Sequence, residues 1–197
     1  MDRYAFTSLA AINELALKRQ SLVNDVANVS TTGFKRSLEA SMTGVAASGA
    51  GFDSRIQPQA VINDVIDLTA GSIQVTGNAM DIAMTGQSVL GVVAEDGSNA
   101  YTRRGDLRIN AEGTLETSTG LLVRGDGGPI TVPPNVTIAF APDGSVVGTD
   151  PVTGEVQILA QLHLREASET PLVRRKDGLF TPQANPGGDV PQGEVLP

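Results

Sequence analysis

Over residues 4–29, apolar side chains recur at spacings of three, four and seven, and no other stretch of the chain offers it a matching helix. Leu9, Ile12, Leu15, Ala16, Leu22, Val23, Val26 and Val29 make the stripe, while Asn13, Glu14, Lys18, Gln20 and Asp25 fall largely elsewhere. Arg19 interrupts the row midway between Ile12 and Val26. No proline precedes Pro58, and Gly33 offers a stop, with Ser30, Thr31 and Thr32 weakening the last turn. The spacing predicts one helix of roughly 26 residues, about 39 Å long. Ordering it costs about 1–2 kcal/mol per residue in backbone entropy. Each buried Leu or Ile returns about 1.5–3 kcal/mol, so the helix breaks even only if its stripe is covered. Terminal stripes of this kind usually dock on their own domain, but the length of this one and the flexible segment after it favour a partner from outside.

Past the helix the period changes. Residues 41–59 are small and glycine-rich and read as a linker, extended in places. From about 60 to 182 the pattern is that of strands. The clearest is Val156 to Arg165, where Val156, Ile158, Ala160, Leu162 and Leu164 alternate with Gln157, Leu159, Gln161, His163 and Arg165. Asp96-Gly97, Asp143-Gly144 and Asp177-Gly178 mark hairpins, because glycine supplies the positive φ such turns need. Residues 183–197, with three prolines and three glycines, read as loosely held. The expected organisation is an N-terminal axial helix over 1–36, an extended linker over 37–70, a β-rich body over 71–182 and a loose C-terminal segment over 183–197.

Composition narrows the function classes. The formal charge is −8, and the acid excess lies almost entirely beyond residue 40, which argues against nucleic acid. There is no cysteine, so disulfides and thiolate metal sites are excluded. The N-terminus lacks the features of a cleaved secretory signal, and no apolar run approaches the length of a membrane span. By these criteria the chain stays in the cytosol or leaves the cell without a cleaved signal, and no direct membrane insertion is expected.

Few residues carry chemistry. His163, the single histidine, falls on the polar face of the predicted strand and reads as solvated; alone it cannot make a zinc site. Gly125-Asp126-Gly127-Gly128 runs into Pro129 rather than opening a helix, so it is a turn and not a phosphate loop. Asp64 and Asp67 read as solvent-facing charge. Arg103-Arg104 and Arg174-Arg175-Lys176 are dense basic spots that either pair across subunits or sit on solvated turns. No catalytic, cofactor-binding or metal residue is nominated, no cofactor is expected, and the chain does not read as an enzyme.

Three ordered blocks carry a resemblance. They are Asn24-Asp25-Val26-Ala27-Asn28-Val29-Ser30-Thr31-Thr32-Gly33-Phe34-Lys35, Gly71 to Ala83 with Thr76-Gly77-Asn78 and Asp81, and Tyr101-Thr102-Arg103-Arg104-Gly105-Asp106-Leu107 followed by Gly113-Thr114-Leu115. Together they resemble the signature of the bacterial flagellar rod and hook proteins. Gly128 to Pro133 and Ala141 to Ser145 are closer to the proximal-rod branch than to the distal one. Asp25 stands where the family has a second asparagine, and Gly86-Gln87-Ser88-Val89-Leu90 replaces a usually aromatic strand. The family also ends in a long C-terminal helix that pairs with the N-terminal one, and the chain reaches Pro197 without it.

The resemblance implies a mainly β fold with a long N-terminal α-helix (α+β), its body built from short antiparallel strands of rod/hook type and lacking the usual C-terminal helix. It implies a structural subunit of the flagellar basal-body rod that assembles helically and transmits torque. Implied partners are copies of itself, other rod proteins of the FlgG, FlgB and FlgC types, and the flagellar export apparatus, with the rod in the periplasm. The expected assembly interface is Leu15, Leu22, Asn24, Val26, Asn28, Val29, Gly33 and Phe34. The asparagines are expected to bond across subunits or to cap backbone groups at the helix end. A different class, a secreted β-rich surface-binding module with a helical stalk, is the alternative.

Overall fold

A helix, α1 (Asp2–Ala27), opens the computed structural model, which describes residues 2–37, 41–46, 56–61 and 65–190. Fourteen strands follow among the described residues. They are β1 (Ser41–Ala46), β2 (Ile56–Val61), β3 (Ser88–Val93), β4 (Asn99–Thr102), β5 (Leu107–Ile109), β6 (Leu115–Thr117) and β7 (Leu122–Gly125). Then come β8 (Gly128–Pro129), β9 (Thr137–Phe140), β10 (Ser145–Thr149), β11 (Val156–Gln161), β12 (Leu164–Glu166), β13 (Leu172–Arg174) and β14 (Phe180–Pro182). Among the described residues the architecture is mainly β with one N-terminal helix, as the sequence predicts.

All strand pairs are antiparallel. The largest sheet runs β13-β14-β4-β3-β7-β6-β5, with β12 also pairing β3 and β8 also pairing β7. A second sheet has the order β11-β10-β9, and β1 pairs with β2 alone. The three Asp-Gly dipeptides read as hairpin signals fall at the β3–β4, β9–β10 and β13–β14 turns, each with glycine at positive φ.

Strand β3 is central because both its faces are buried. Leu90 joins Leu107, Leu115, Val123, Val146 and Leu162 in the main core, while Val89, on the opposite face, joins Ile66, Tyr101, Leu172, Phe180 and Val190. Its near-continuous apolar run is what double burial requires. One cross-strand row, Arg174–Phe180–Tyr101–Gly91, crosses β13, β14, β4 and β3 in register.

Several readings of the sequence need correction. Within the span taken as a linker, Ser41–Ala46 pairs residue for residue with Ile56–Val61, so ladder pairing overrides a composition of small residues. Ile66 and Leu68 are buried in the second core, so packed structure begins before residue 71. Residues 183–190 are held, because Val190 is buried and its amide donates to the Tyr101 hydroxyl at 2.8 Å. Asp64, the rest of the linker over 47–55 and the tail over 191–197 lie outside the described residues.

The strand read from Val156 to Arg165 divides into β11 and β12, and its alternation slips. Val146 pairs with Ala160 but Val147 with Ile158, leaving Leu159 as the extra residue of a bulge. Val156 and Ile158 therefore face outward, 63% and 72% exposed, while Leu159 packs against the main core. Gly148 makes this possible, since a Cβ there would lie 2.8 Å from Leu159 Cδ1. His163 is likewise buried rather than solvated, with 3% exposure. Its ring occupies the space left by Gly91, whose Cβ would come within 2.7 Å of His163 Cδ2.

Candidate assembly interface

The apolar stripe of α1 is uncovered. Leu9, Ile12, Leu15, Leu22, Val23 and Val26 are all more than half exposed, and Val29 just past the helix is 81% exposed. The less exposed positions from Glu14 onward are Glu14, Leu17, Ser21, Asp25 and Asn28, which are mostly polar. Lys18 and Glu14 form an i,i+4 ion pair of 3.0 Å, an exposed contact of the kind worth about 0.3–0.5 kcal/mol. Such pairs cannot offset the cost of leaving that much apolar surface in water. Of the predicted interface residues, Leu15, Leu22, Val26 and Val29 are thus accessible to a partner.

The other four have contacts within the chain. Asn28 Nδ2 donates to Asn24 O at 2.9 Å and to Asn24 Oδ1 at 3.2 Å, and Thr31 Oγ1 donates to Asn28 Oδ1 at 3.4 Å. The two asparagines therefore tie off the helix C-terminus, where carbonyls run out of intrahelical donors. Gly33 turns the chain at φ +70°, and a Cβ there would lie 2.5 Å from Arg103 O, so only glycine fits. Phe34 lies under the guanidinium of Arg174, whose carbon is 4.8 Å from the ring centroid. Arg174 also donates to Lys35 O.

Beyond Phe34 the chain docks on the body. Ser37 bridges Ile66, Asp67 N donates to Arg36 O at 2.9 Å, and Lys35 Nζ donates to Thr69 O at 2.6 Å. Arg36 pairs with Asp67 at 3.0 Å. Hydrogen bonds from the Thr69 hydroxyl and amide, then the Arg36 guanidinium, lower the Asp67 carboxyl to about 2. Burial, then Arg103, lowers the ammonium of Lys35 below its usual range. Arg103 itself donates to three carbonyls, Met84 O, Gly86 O and Ser88 O. Arg104 pairs with Asp106, and Arg175 with Asp96 and Asp177. Arg103, Arg104, Arg174 and Arg175 are thus paired within the chain, while Lys176 is exposed on the β13–β14 turn, and Asp67 is not simply solvent-facing. A cleft of about 690 Å³ separates the helix end from the body, lined in part by Asn24, Asn28, Phe34, Arg104 and Arg174.

This clamp was missed in the sequence, although its members Gly33, Arg103 and Arg174 were each singled out. The second and third signature blocks also meet. Ile82 N donates to Gly105 O at 2.9 Å, Asp81 bridges Asp106, and a Cβ on Gly105 would fall 1.9 Å from Ile82 O.

The far end of the body is fixed by Asp189, which accepts from the Tyr101 hydroxyl at 3.1 Å and from Arg124 at 2.9 Å. His163 Nδ1 lies 3.2 Å from Asp126 Oδ1, and its Nε2 has no hydrogen-bond partner. Burial, with Arg165 and Arg124 nearby, holds the imidazole below its usual pKa. Among the described residues no group of three His, Cys, Asp or Glu side chains could hold a metal ion, and no helix is long and apolar enough to cross a membrane.

Comparison with known proteins agrees with the sequence blocks. The family model described as "Flagellar hook protein FlgE/F/G D1 domain" matches residues 83–148. The flagellar basal-body rod protein FlgF of Salmonella typhimurium is 32% identical over 182 residues, covering 91% of this chain and 71% of the relative. FlgF of Escherichia coli is 30% identical over the same coverage. The rod protein FlgG of Agrobacterium fabrum is 30% identical over 195 residues, covering 86% of this chain and 70% of its own.

Proposed function

The chain belongs to the flagellar basal-body rod protein family, and from that premise we propose that it assembles helically through α1, whose apolar stripe packs against neighbouring subunits. It is a structural subunit of the rod. The observation that carries the assembly mode is the uncovered stripe on a helix of 26 residues.

Leu15, Leu22, Val26 and Val29 form the seam. Asn24, Asn28, Gly33 and Phe34 set the angle at which the helix leaves the body, through the cap and the clamp. A subunit of this kind transmits torque when its helix is held by neighbours and its body by the clamp. The neighbours are copies of itself and rod proteins of the FlgG, FlgB and FlgC types, in the periplasmic part of the basal body. Export proceeds through the flagellar apparatus without a cleaved signal, and the role involves no catalysis. In domain terms, residues 1–36 are axial and the β body, from residue 65 onward in its packed core, is the outer part. Burial of the stripe only on assembly ties the order of the helix to polymerisation, since whatever binds the folded form alone stabilises it.

The test is Leu22→Asp. Leu22 is 63% exposed, so the free monomer should unfold as the wild type does. A buried, unpaired carboxylate at a subunit seam costs several kcal/mol, so rod assembly and motility should be lost. Normal motility in that variant would sink the seam assignment.

A further inference from the structure

The outer face of the β11-β10-β9 sheet is a second uncovered surface. Two rows cross it in register, Thr137–Thr149–Val156 and Ala139–Val147–Ile158. All six residues are uncharged, and none is buried, while alternate residues such as Ile138 and Val146 turn into the main core. Small and β-branched side chains make this face flat, and β11 is an edge strand with no partner on its far side over Val156–Ala160 among the described residues.

A second feature matches it. Residues 68–80 contain no charge, and Ile73 and Val75 alternate there with Ser72, Gln74 and Thr76 in the manner of a half-buried strand. Yet every residue of 69–79 is exposed, Val75 at 97%, and the segment pairs with no strand among the described residues.

We propose that residues 71–77 of one copy dock on the outer face of the β9–β11 sheet of the next copy, Ile73 and Val75 meeting Val156 and Ile158. This rests on the rod reading above and names a contact within it. Charge selects the occupant. In a chain of formal charge −8, a second copy approaches most easily where both surfaces are neutral. The rims are complementary as well. The patch is bordered at the β10–β11 turn by Asp150 and Glu155, whereas the root of the segment carries Lys35, bonded to Thr69 O, the neighbouring Arg36 being already paired with Asp67. The contact joins two different surfaces of the same chain, so it is head-to-tail and propagates into a helical array rather than closing a dimer. Its area is also small, because a handful of short side chains bury far less than the roughly 1,600 Å² of a stable pairwise interface. It therefore holds only when repeated along a polymer.

The chain has no cysteine, which makes cross-linking clean. A full-length V75C chain and a full-length I158C chain are co-expressed, basal bodies are purified, and mild oxidation is followed by a non-reducing gel. Mixed disulfide dimers that neither variant gives alone are expected. Incorporated chains that stay monomeric would overturn the contact, and dimers from I158C alone would show patch meeting patch instead. In parallel, I158K should lower incorporation at least tenfold and V75E should restore it in the double variant. A double variant no better than I158K would refute the pairing. Absence of the unmodified chain from basal bodies would overturn the rod reading itself.

Discussion

Replacing Gly33 by alanine tests whether the helix is rigidly joined to the body or merely tethered to it. Two costs add at this position. The residue sits at φ +70°, where an L side chain is strained by about 1–2 kcal/mol. Its Cβ would also lie 2.5 Å from Arg103 O and 2.6 Å from Arg104 N, both backbone atoms that no rotamer change can move. Forcing such a contact costs about 1–3 kcal/mol.

Two other glycines separate the terms. Gly97, at φ +78° with nothing within 4 Å of its Cβ, carries only the conformational strain. Gly105, with no positive φ and a Cβ position 1.9 Å from Ile82 O, carries only the contact. The assay is native-state amide exchange at Asp67, whose N–H donates to Arg36 O inside the clamp, with Gly91, bonded to His163 O in the body, as the reference. If the two costs sum to about 3 kcal/mol, Gly33→Ala accelerates exchange at Asp67 roughly a hundredfold, at a factor of ten per ~1.4 kcal/mol. Exchange at Gly91 should stay near its wild-type rate. Gly97→Ala should leave Asp67 close to wild type, and Gly105→Ala should lower the stability of the whole body. If Gly33→Ala changes Asp67 exchange by less than threefold, the close approach to Arg103 does not hold the helix, and the clamp argument fails.

Other perturbations probe the same framework. Tyr101→Phe removes the acceptor for Val190 N and the donor to Asp189, so a destabilisation of about 1–3 kcal/mol is expected for the orphaned amide, read from urea midpoints; an unchanged midpoint would mean residues 189–190 are not held there. The His163 imidazole has its pKa lowered in the folded state, so the stability it supports is present above about pH 6.5 and declines as pH falls toward the lowered value. Asp126 and Asp189 oppose that shift while Arg124 and Arg165 reinforce it, and His163→Gln should flatten the slope between pH 7 and 5. The Asp67 carboxyl, held at about 2, contributes above about pH 4 and loses that contribution as pH falls toward 2. Exchange at the Asp67 amide, which donates to Arg36 O, should speed up relative to its intrinsic rate over that window in the wild type and not in Asp67→Asn. Arg174→Lys keeps the charge but loses the planar stack on Phe34, and a loss of about 1 kcal/mol at the clamp is expected from double-mutant cycles with Phe34→Leu.

The helix, the Asp-Gly hairpins and the mainly β character were legible because each depends on a local pattern. The stripe from Leu9 to Val29 has one period, and the glycines of Asp96-Gly97, Asp143-Gly144 and Asp177-Gly178 supply the positive φ of their turns. What escaped the sequence was long-range. The burial of His163 and the inward turn of Leu159 each depend on a glycine elsewhere, Gly91 and Gly148, that leaves room for a side chain out of phase. Read alone, such a glycine merely weakens a strand, although an interior strand glycine is also the usual mark of a bulge or a close approach. The clamp was hidden for the same reason. Gly33 and Arg103 are far apart in sequence, and nothing in either neighbourhood says that their backbones touch. The β1–β2 ladder lies in residues too small and flexible to announce a strand, and only pairing reveals it.

The row Arg174–Phe180–Tyr101–Gly91 has a consequence for how the chain acquires its shape. Arg174 grips the incoming segment at Phe34 and Lys35, and Tyr101 grips the outgoing one at Val190. Both grips depend on β14 finding β4 across most of the body's sequence. Pairings between distant segments bear the largest loop-closure cost and set the pace of folding in β proteins. The single β14–β4 pairing thus holds the incoming segment at Phe34 and the outgoing one at Val190 from one place, so opening it should release both grips together.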